Sequence, residues 1–377
     1  VSAPLYLLRY FPTLTETFVN RELEALRMGG VPAEVLRLGA RADGALREAP
    51  LPAPVREAPR GPGTWRWAIA APTEGQRFVA AHQRPKDALR YRAALEGLRR
   101  SGPPPLVHVH FAGEAAEWAE ALRRDLGLPW TLMVHAVDLH KPRPSLPALL
   151  AGASAVLSVS DAALPQLHRW GARAARLRCG PELAQWTALD RGPVGSGPLR
   201  ALFIGRDVPK KGLDTLLTAW PTVLRAAPSA SLTLITDRPP PAGPPAPGLR
   251  WAGLLPSTGV RAAMAAANLV VLPAQRAPDG DEDGVPLALM EGLAAGRPVI
   301  SASVGGIAEL VDAEVGWLCP PEEPRALAAA LIEAAAPAAR AGRGAAGPER
   351  LRSRGFTLEA QVAGLRAVWR GLGQPWA

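Results

Sequence analysis

Cysteine is nearly absent: Cys179 and Cys319 are the only two in 377 residues. Two thiols make neither a disulfide framework nor a zinc ribbon. Lysine is almost as scarce, since of 43 basic residues only Lys86, Lys141, Lys210 and Lys211 are not arginine. Long apolar runs are missing too. The longest uncharged stretch, Pro144 to Ser160, is interrupted by proline, glycine and four serines, whereas a spanning helix needs about 20 mostly apolar residues. The opening VSAPLYLLRYFP carries no basic region followed by a small-residue cleavage site, so secretion is not expected and a cytoplasmic protein is. G-x-G-x-x-G occurs nowhere, which removes the dinucleotide-binding fingerprint.

What is present points to packed cores. Hydrophobic residues make up 48% and charged residues 20% of the chain, and its length suggests two domains. The net charge of +9 is spread out: residues 1–190 hold 24 basic and 18 acidic side chains, the remainder 19 and 16. Neither half shows the concentrated basic face of a nucleic-acid binder, so no nucleic-acid partner is expected.

Strand and helix patterns alternate twice. Leu5–Tyr10, Ala33–Leu38, Leu106–Phe111, Trp130–Val134 and Ala155–Val159 read as strands, with Thr13 and Glu16 in capping-box spacing before a helix. Arg41–Gly63 reads as loop, and DRGPVGSGP at 190–198 as a linker. The pattern then restarts with strands at Arg200–Ile204, Ser231–Ile235, Leu249–Ala252, Leu269–Leu272 and Pro298–Ser301. Helices are predicted over Leu213–Leu224, Val285–Ala295 and Pro324–Ala335. Such alternation predicts α/β architecture: two doubly wound parallel-sheet domains facing a central cleft, with ligands at the carboxyl ends of the strands.

Two segments could hold an anionic ligand. In FIGRDVPKKG an apolar strand ends at Gly205-Arg206, and Lys211 follows just before Gly212 and a helix. A guanidinium fork and a compact ammonium suit two neighbouring phosphates, aided by the helix N-terminus; a solvated basic loop is the other reading. In DGDEDGVPLALMEG, Asp283 enters a helix through Gly284, Val285 and Pro286, and Glu291 lies about two turns in. Loop N–H groups there could approach an anion or sugar hydroxyls closely, because Gly284 has no side chain.

Read together, these segments resemble the family-4 retaining glycosyltransferases. The acidic residue, seven residues and then Glu of DGVPLALMEGLAAGRPVIS resemble that family's signature, and VGGIAE at 304–309 resembles its next loop. Gly205-Arg206 with Lys211-Gly212 is similar to its diphosphate loop, Arg178-Cys179-Gly180 to the close of its first domain, and His135–Asp138 to its first-domain histidine motif. FPTLTETFVNREL and VHVHFA resemble the exopolysaccharide subgroup. The sequence departs from the family at Asp283, where Glu is usual, and at Thr236-Asp237-Arg238-Pro239, where Gly-Asp-Gly-Pro is usual.

The resemblance implies the two-domain GT-B fold. Residues 1–188 would form the acceptor-side domain, 197–352 the nucleotide-sugar domain, and 353–377 a helix returning to the first. It implies a retaining hexosyltransferase needing no metal or other cofactor, with a nucleotide-sugar donor and a hydroxyl acceptor. Arg206 and Lys211 would take the donor diphosphate, and Glu291 the ribose. Asp283 and His135 would serve the sugar. Backbone groups of Gly284, Val285, Pro286 and Leu287 would contact sugar and phosphates.

Other readings compete locally. His108-x-His110, with His135, Asp138 and His140, could form a metal-dependent hydrolase site or a set of hydrogen-bonded histidines. A nucleotide-sugar-binding protein without turnover is a third reading. Six basic and two acidic residues between Arg84 and Arg100, near Trp65, Trp67, Phe78 and Tyr91, would suit an anionic membrane surface or a solvated helix face. Leu358, Val362, Leu365, Val368 and Trp369 make one apolar stripe on a terminal helix.

Overall fold

The computed structural model describes residues 3–13, 17–39, 51–68, 70–189, 192, 194–243 and 246–374. Glu16 of the expected capping box and residues 40–50 of the expected loop lie outside these. The chain divides into two compact units, Val1–Arg178 with Leu358–Ala377, and Cys179–Thr357.

The first unit is built on seven parallel strands: β1 Leu5–Leu8, β2 Glu34–Arg37, β3 Val55–Glu57, β4 Val107–His110, β5 Trp130–Val134, β6 Ala155–Ser158 and β7 Ala174–Arg176. Their spatial order is β3-β2-β1-β4-β5-β6-β7. Every residue of β1, β4 and β5 is buried; β1 and β5 accordingly read as near-continuous apolar runs, whereas β4 alternates valine with His108 and His110. The helix Leu358–Gly371 packs against the helix Thr17–Met28, in the same unit.

Six parallel strands form the second sheet: β8 Arg200–Ile204, β9 Ser231–Ile235, β10 Leu249–Trp251, β11 Leu269–Leu272, β12 Val299–Ala302 and β13 Gly316–Cys319, ordered β10-β9-β8-β11-β12-β13. Each sheet therefore reverses its winding once, between β1 and β4 and between β8 and β11. Both units are doubly wound, and such switch points are where ligand crevices open.

The linker expected at 190–198 is tied into the second unit. Arg297 donates to the carbonyls of Gly192, Met264 and Ala265. Arg340, fully buried, donates to those of Val194, Gly197 and Ala335. Three strands escaped the sequence reading: β3, β7 and β13. The first two are three-residue sheet edges that are largely exposed, so they carry almost no apolar signal.

Candidate active site

At the second switch point, three loops are stitched together. β8 runs into Gly205-Arg206, a 3-10 turn Pro209–Lys211 and then the helix Leu213–Ala226. Gly212 between them has φ +66°, and a Cβ there would fall 1.9 Å from the Pro273 carbonyl oxygen, so only glycine fits. The Gln275 N–H donates to the Lys210 carbonyl at 3.0 Å, joining this turn to the segment after β11. Lys211 Nζ donates to Asp283 Oδ2 at 2.6 Å. Lys210 Nζ lies 3.1 Å from Asp281 and 3.6 Å from Asp283. From the segment after β12, the Gly306 N–H donates to the Gly284 carbonyl at 3.0 Å. Gly305, at φ +55°, lies so close that a Cβ would meet the Asp283 carbonyl oxygen at 2.1 Å.

Asp283 is thus buried and held by two ammonium groups, while Arg206 is exposed and has no ion pair among the described residues. Gly284 and Val285 lead to Pro286, the cap of the helix Leu287–Ala294. The expected start at Val285 is too early, because a residue before proline is steered out of the helical region. Glu291 accordingly stands about one turn into that helix, not two, and is buried at 7% exposure. Sequence reasoning missed Lys210 and Asp281 as members of this cluster. It also left Arg238 without a role. The Arg238 guanidinium bridges Asp207 and Asp214, and Asp237 accepts from the Asp207 N–H at 2.5 Å. The departure from the usual Gly-Asp-Gly-Pro was the available signal. This arrangement presents cations whose counter-ions an incoming diphosphate could replace.

In the first unit the histidines assemble around a residue that sequence reading passed over. Glu22, on the helix Thr17–Met28, shares the buried stripe of Val19, Leu23 and Leu26; a carboxylate on an apolar stripe was its only sequence signal. Its Oε1 accepts from Tyr6 Oη at 2.6 Å and lies 3.0 Å from His110 Nε2, while Oε2 accepts from Gln361. His108 Nδ1 lies 2.7 Å from Thr131 Oγ1, and His110 Nδ1 lies 3.2 Å from His135 Nε2. Asp138 instead accepts from the backbone N–H groups of Ala112 and His135, at 2.9 and 2.8 Å.

Among the described residues, the side chains near enough to share a metal ion are Glu22, His108 and His110. This corrects the expected His108/His110/His135 cluster: His135 is directed to His110 and is not part of the group. Glu22 already accepts from three protein donors, and these three side chains are at most 3% exposed. A catalytic zinc keeps an open position for water or substrate, which this packing does not provide, so the hydrolase reading fails on geometry.

Burial sets the protonation of this cluster. Burial alone would raise the Glu22 carboxyl, but His110, His108 and the Tyr6 hydroxyl outweigh it and hold it at about 2. Burial, helped by His110, lowers His108 to about 3 and His135 well below its ordinary 6.5. Burial raises Asp138 to about 7 despite its two backbone donors. The two histidines refuse protons that the unfolded chain accepts below pH 6.5, whereas native Asp138 keeps one that the unfolded chain releases above 3.8. Between pH 6.5 and 4.5 the unfolded state therefore binds more protons than the native one, and the first unit should lose stability on acidification through that interval. Chemical denaturation across this range checks it; a flat or rising profile on acidification contradicts it.

The comparisons with known proteins bear on the fold and on the second unit. A family model described as glycosyl transferases group 1 matches residues 198–336, the stretch that contains all three stitched loops. The chain is 20% identical to the solved sucrose-phosphate synthase of Thermosynechococcus elongatus, at TM-score 0.74, covering 98% of this chain and 99% of that one. The chain has the GT-B fold, and its residues 198–336 match the group 1 glycosyltransferases. Anabaena HepE, solved with UDP and glucose, aligns at TM-score 0.70 and 17% identity over 98% of this chain and 100% of its own. Among curated sequences, the amylovoran biosynthesis glycosyltransferase AmsK of Erwinia amylovora is 29% identical over 245 residues. That match spans 60% of each protein's length. Both doubly wound sheets are thus accounted for by the GT-B fold. No helix among the described residues is long and apolar enough to cross a membrane.

Proposed function

We propose that this protein is a retaining glycosyltransferase that moves a hexose-type sugar from a nucleotide-sugar donor to a hydroxyl acceptor. The observation that carries the reading is the Lys210/Lys211–Asp281/Asp283 cluster, which joins the loops after β8 and β11 at the switch point of the second sheet. A donor diphosphate placed there would meet Lys211 and the exposed Arg206. Its developing charge, as the nucleotide leaves, would be held by cations fixed in advance. The first N–H groups of the helix Leu287–Ala294 add a positive dipole end beside Gly284, Val285, Pro286 and Leu287. Glu291 is assigned to the ribose diol, and Asp283, once diphosphate competes for Lys211, to sugar hydroxyls. His135 is assigned to the same reaction by the family resemblance. No metal or other cofactor is needed in this scheme, because the cations come from side chains. HepE was solved with UDP and glucose, and AmsK is named for a polysaccharide pathway; both support a nucleotide-sugar donor and a glycan-type hydroxyl acceptor.

A thermal-shift panel of UDP, GDP, ADP and dTDP with their common sugars, with and without EDTA, tests the donor site. A ligand at one hundred times its dissociation constant should add about 2.7 kcal/mol. One nucleotide series should raise the melting temperature, and EDTA should change nothing. If no series does so, the site assignment fails; a shift without turnover across a broad acceptor screen would leave a non-catalytic binder.

We also propose that the first unit docks on an anionic membrane surface through Trp65, which is 71% exposed, and the exposed Lys86 and Arg100. The other four basic residues of the 84–100 stretch are engaged locally: Arg84 and Arg90 pair with Asp87, and Arg92 and Arg99 with Glu96. Few charges are left to bind lipid, so docking should be weak and strongly salt-dependent. Co-sedimentation with anionic vesicles at low salt should be lost at high salt or with neutral vesicles. Binding indifferent to both would sink this proposal.

A further inference from the structure

His135 closes β5, and its ring is fixed on several sides. Phe111 stacks on it at 4.2 Å between centroids and 28°, and Phe18 lies 5.1 Å away. Its Nε2 meets His110 Nδ1, and His110 Nε2 meets Glu22. Beyond Glu22 the chain of contacts ends on Tyr6 and Gln361. Nothing in a packed core requires such a line of polar groups, and each member costs desolvation unless every hydrogen is placed.

The placement follows from donor and acceptor inventory. An ionised carboxylate only accepts, so His110 must carry hydrogen on Nε2. A single hydrogen then lies between His110 Nδ1 and His135 Nε2. In the capping box that opens the helix Ala136–His140 the His135 side chain faces the Asp138 backbone N–H, which makes Nδ1 the acceptor and puts the shared hydrogen on His135 Nε2. We propose that Glu22 and His110 are positioning residues that hold His135 in this Nε2–H tautomer and in one ring orientation. Glu22 acts through His110 and touches no substrate. The assignment of His135 to the transfer reaction rests on the function proposed above, whereas the tautomer does not.

Two readouts separate the proposal from a merely structural role and from failure of the transferase reading. In the full chain labelled with 15N-histidine, His135 should show one neutral tautomer, protonated on Nε2, and His110 should be protonated on Nε2. In Glu22→Gln the side-chain amide can present either an oxygen or an N–H to His110, so His135 should become a mixture of tautomers. With the donor identified by the thermal-shift panel, kcat of that variant should fall about 10- to 100-fold, the range for residues that orient a functional side chain, while donor KM changes less than twofold. Glu22→Asp should restore the single tautomer and part of the lost kcat if its shorter carboxylate reaches His110. Three results would overturn the proposal: a His135 tautomer mixture in the parent protein, a single unchanged tautomer in folded Glu22→Gln, or stoichiometric zinc whose removal shifts the His108 and His110 signals. The parent spectrum decides even if Glu22→Gln does not fold, and it decides even if no donor is turned over.

Discussion

Replacing Lys211 with alanine is expected to lower turnover about 100- to 1,000-fold, the usual loss when one fixed donor to developing charge is removed. The expectation follows from where the ammonium sits. Nζ is 2.6 Å from Asp283, and both side chains are largely buried, at 16% and 11% exposure. Asp283 would keep Lys210 at 3.6 Å as a counter-charge, so the loops should remain in place and the fold should survive. Nucleotide binding should weaken at the same time, since diphosphate loses one of the cations assigned to it. Glu291→Ala should also weaken nucleotide binding, through the ribose. Thermal shift with the selected nucleotide, circular dichroism and initial rates check these points. Parent-like affinity and rate in both variants would remove the second-unit site from consideration.

Trp369→Ala should cost the first unit about 3–5 kcal/mol, the range for deleting a large buried aromatic. Trp369 is fully buried, meets Tyr6 and His108 edge-on at 6.4 and 5.6 Å between centroids, and donates to Thr131 Oγ1 at 3.3 Å. The loss is a large part of the 5–15 kcal/mol that hold a typical domain together. Removing residues 358–377 altogether should go further, because Glu22 then loses Gln361 as well as its apolar cover. The second unit has a separate hydrophobic core that includes Trp220, Leu272 and Phe356, and it should melt as before. Calorimetry should therefore show one transition displaced downward and one unchanged. Two unshifted transitions would mean that the terminal helix is dispensable to the first unit.

Legibility varied with how local the cause was. The buried strands at Trp130–Val134 and Leu269–Leu272 could be read outright, since a short apolar run between turn residues has few other uses. The phosphate-type loop was visible because lysine is so rare in this chain that Lys210-Lys211 stands out. β3 and β7 were not visible: three residues at a sheet edge, with one neighbouring strand and mostly exposed side chains, leave no periodic mark. β13 hid for another reason. Gly316 lies where a Cβ would strike the Val299 carbonyl oxygen at 2.1 Å, so this strand is specified by its neighbour rather than by apolar pattern.

The sequence alone determined the α/β class, the two-fold repetition of strand and helix, and the segments that would lie at strand ends. Periodicity and glycine placement act within a few residues, so one chain segment suffices to show them. Only the tertiary structure decided that Asp283 pairs with Lys211, 72 positions away, and that Glu22 accepts a hydrogen bond from Gln361, 339 positions away. Those contacts arise because parallel strands return every loop to the same sheet end and because the terminal helix packs on the first. A charge in a sequence has no address until the sheet supplies its neighbours.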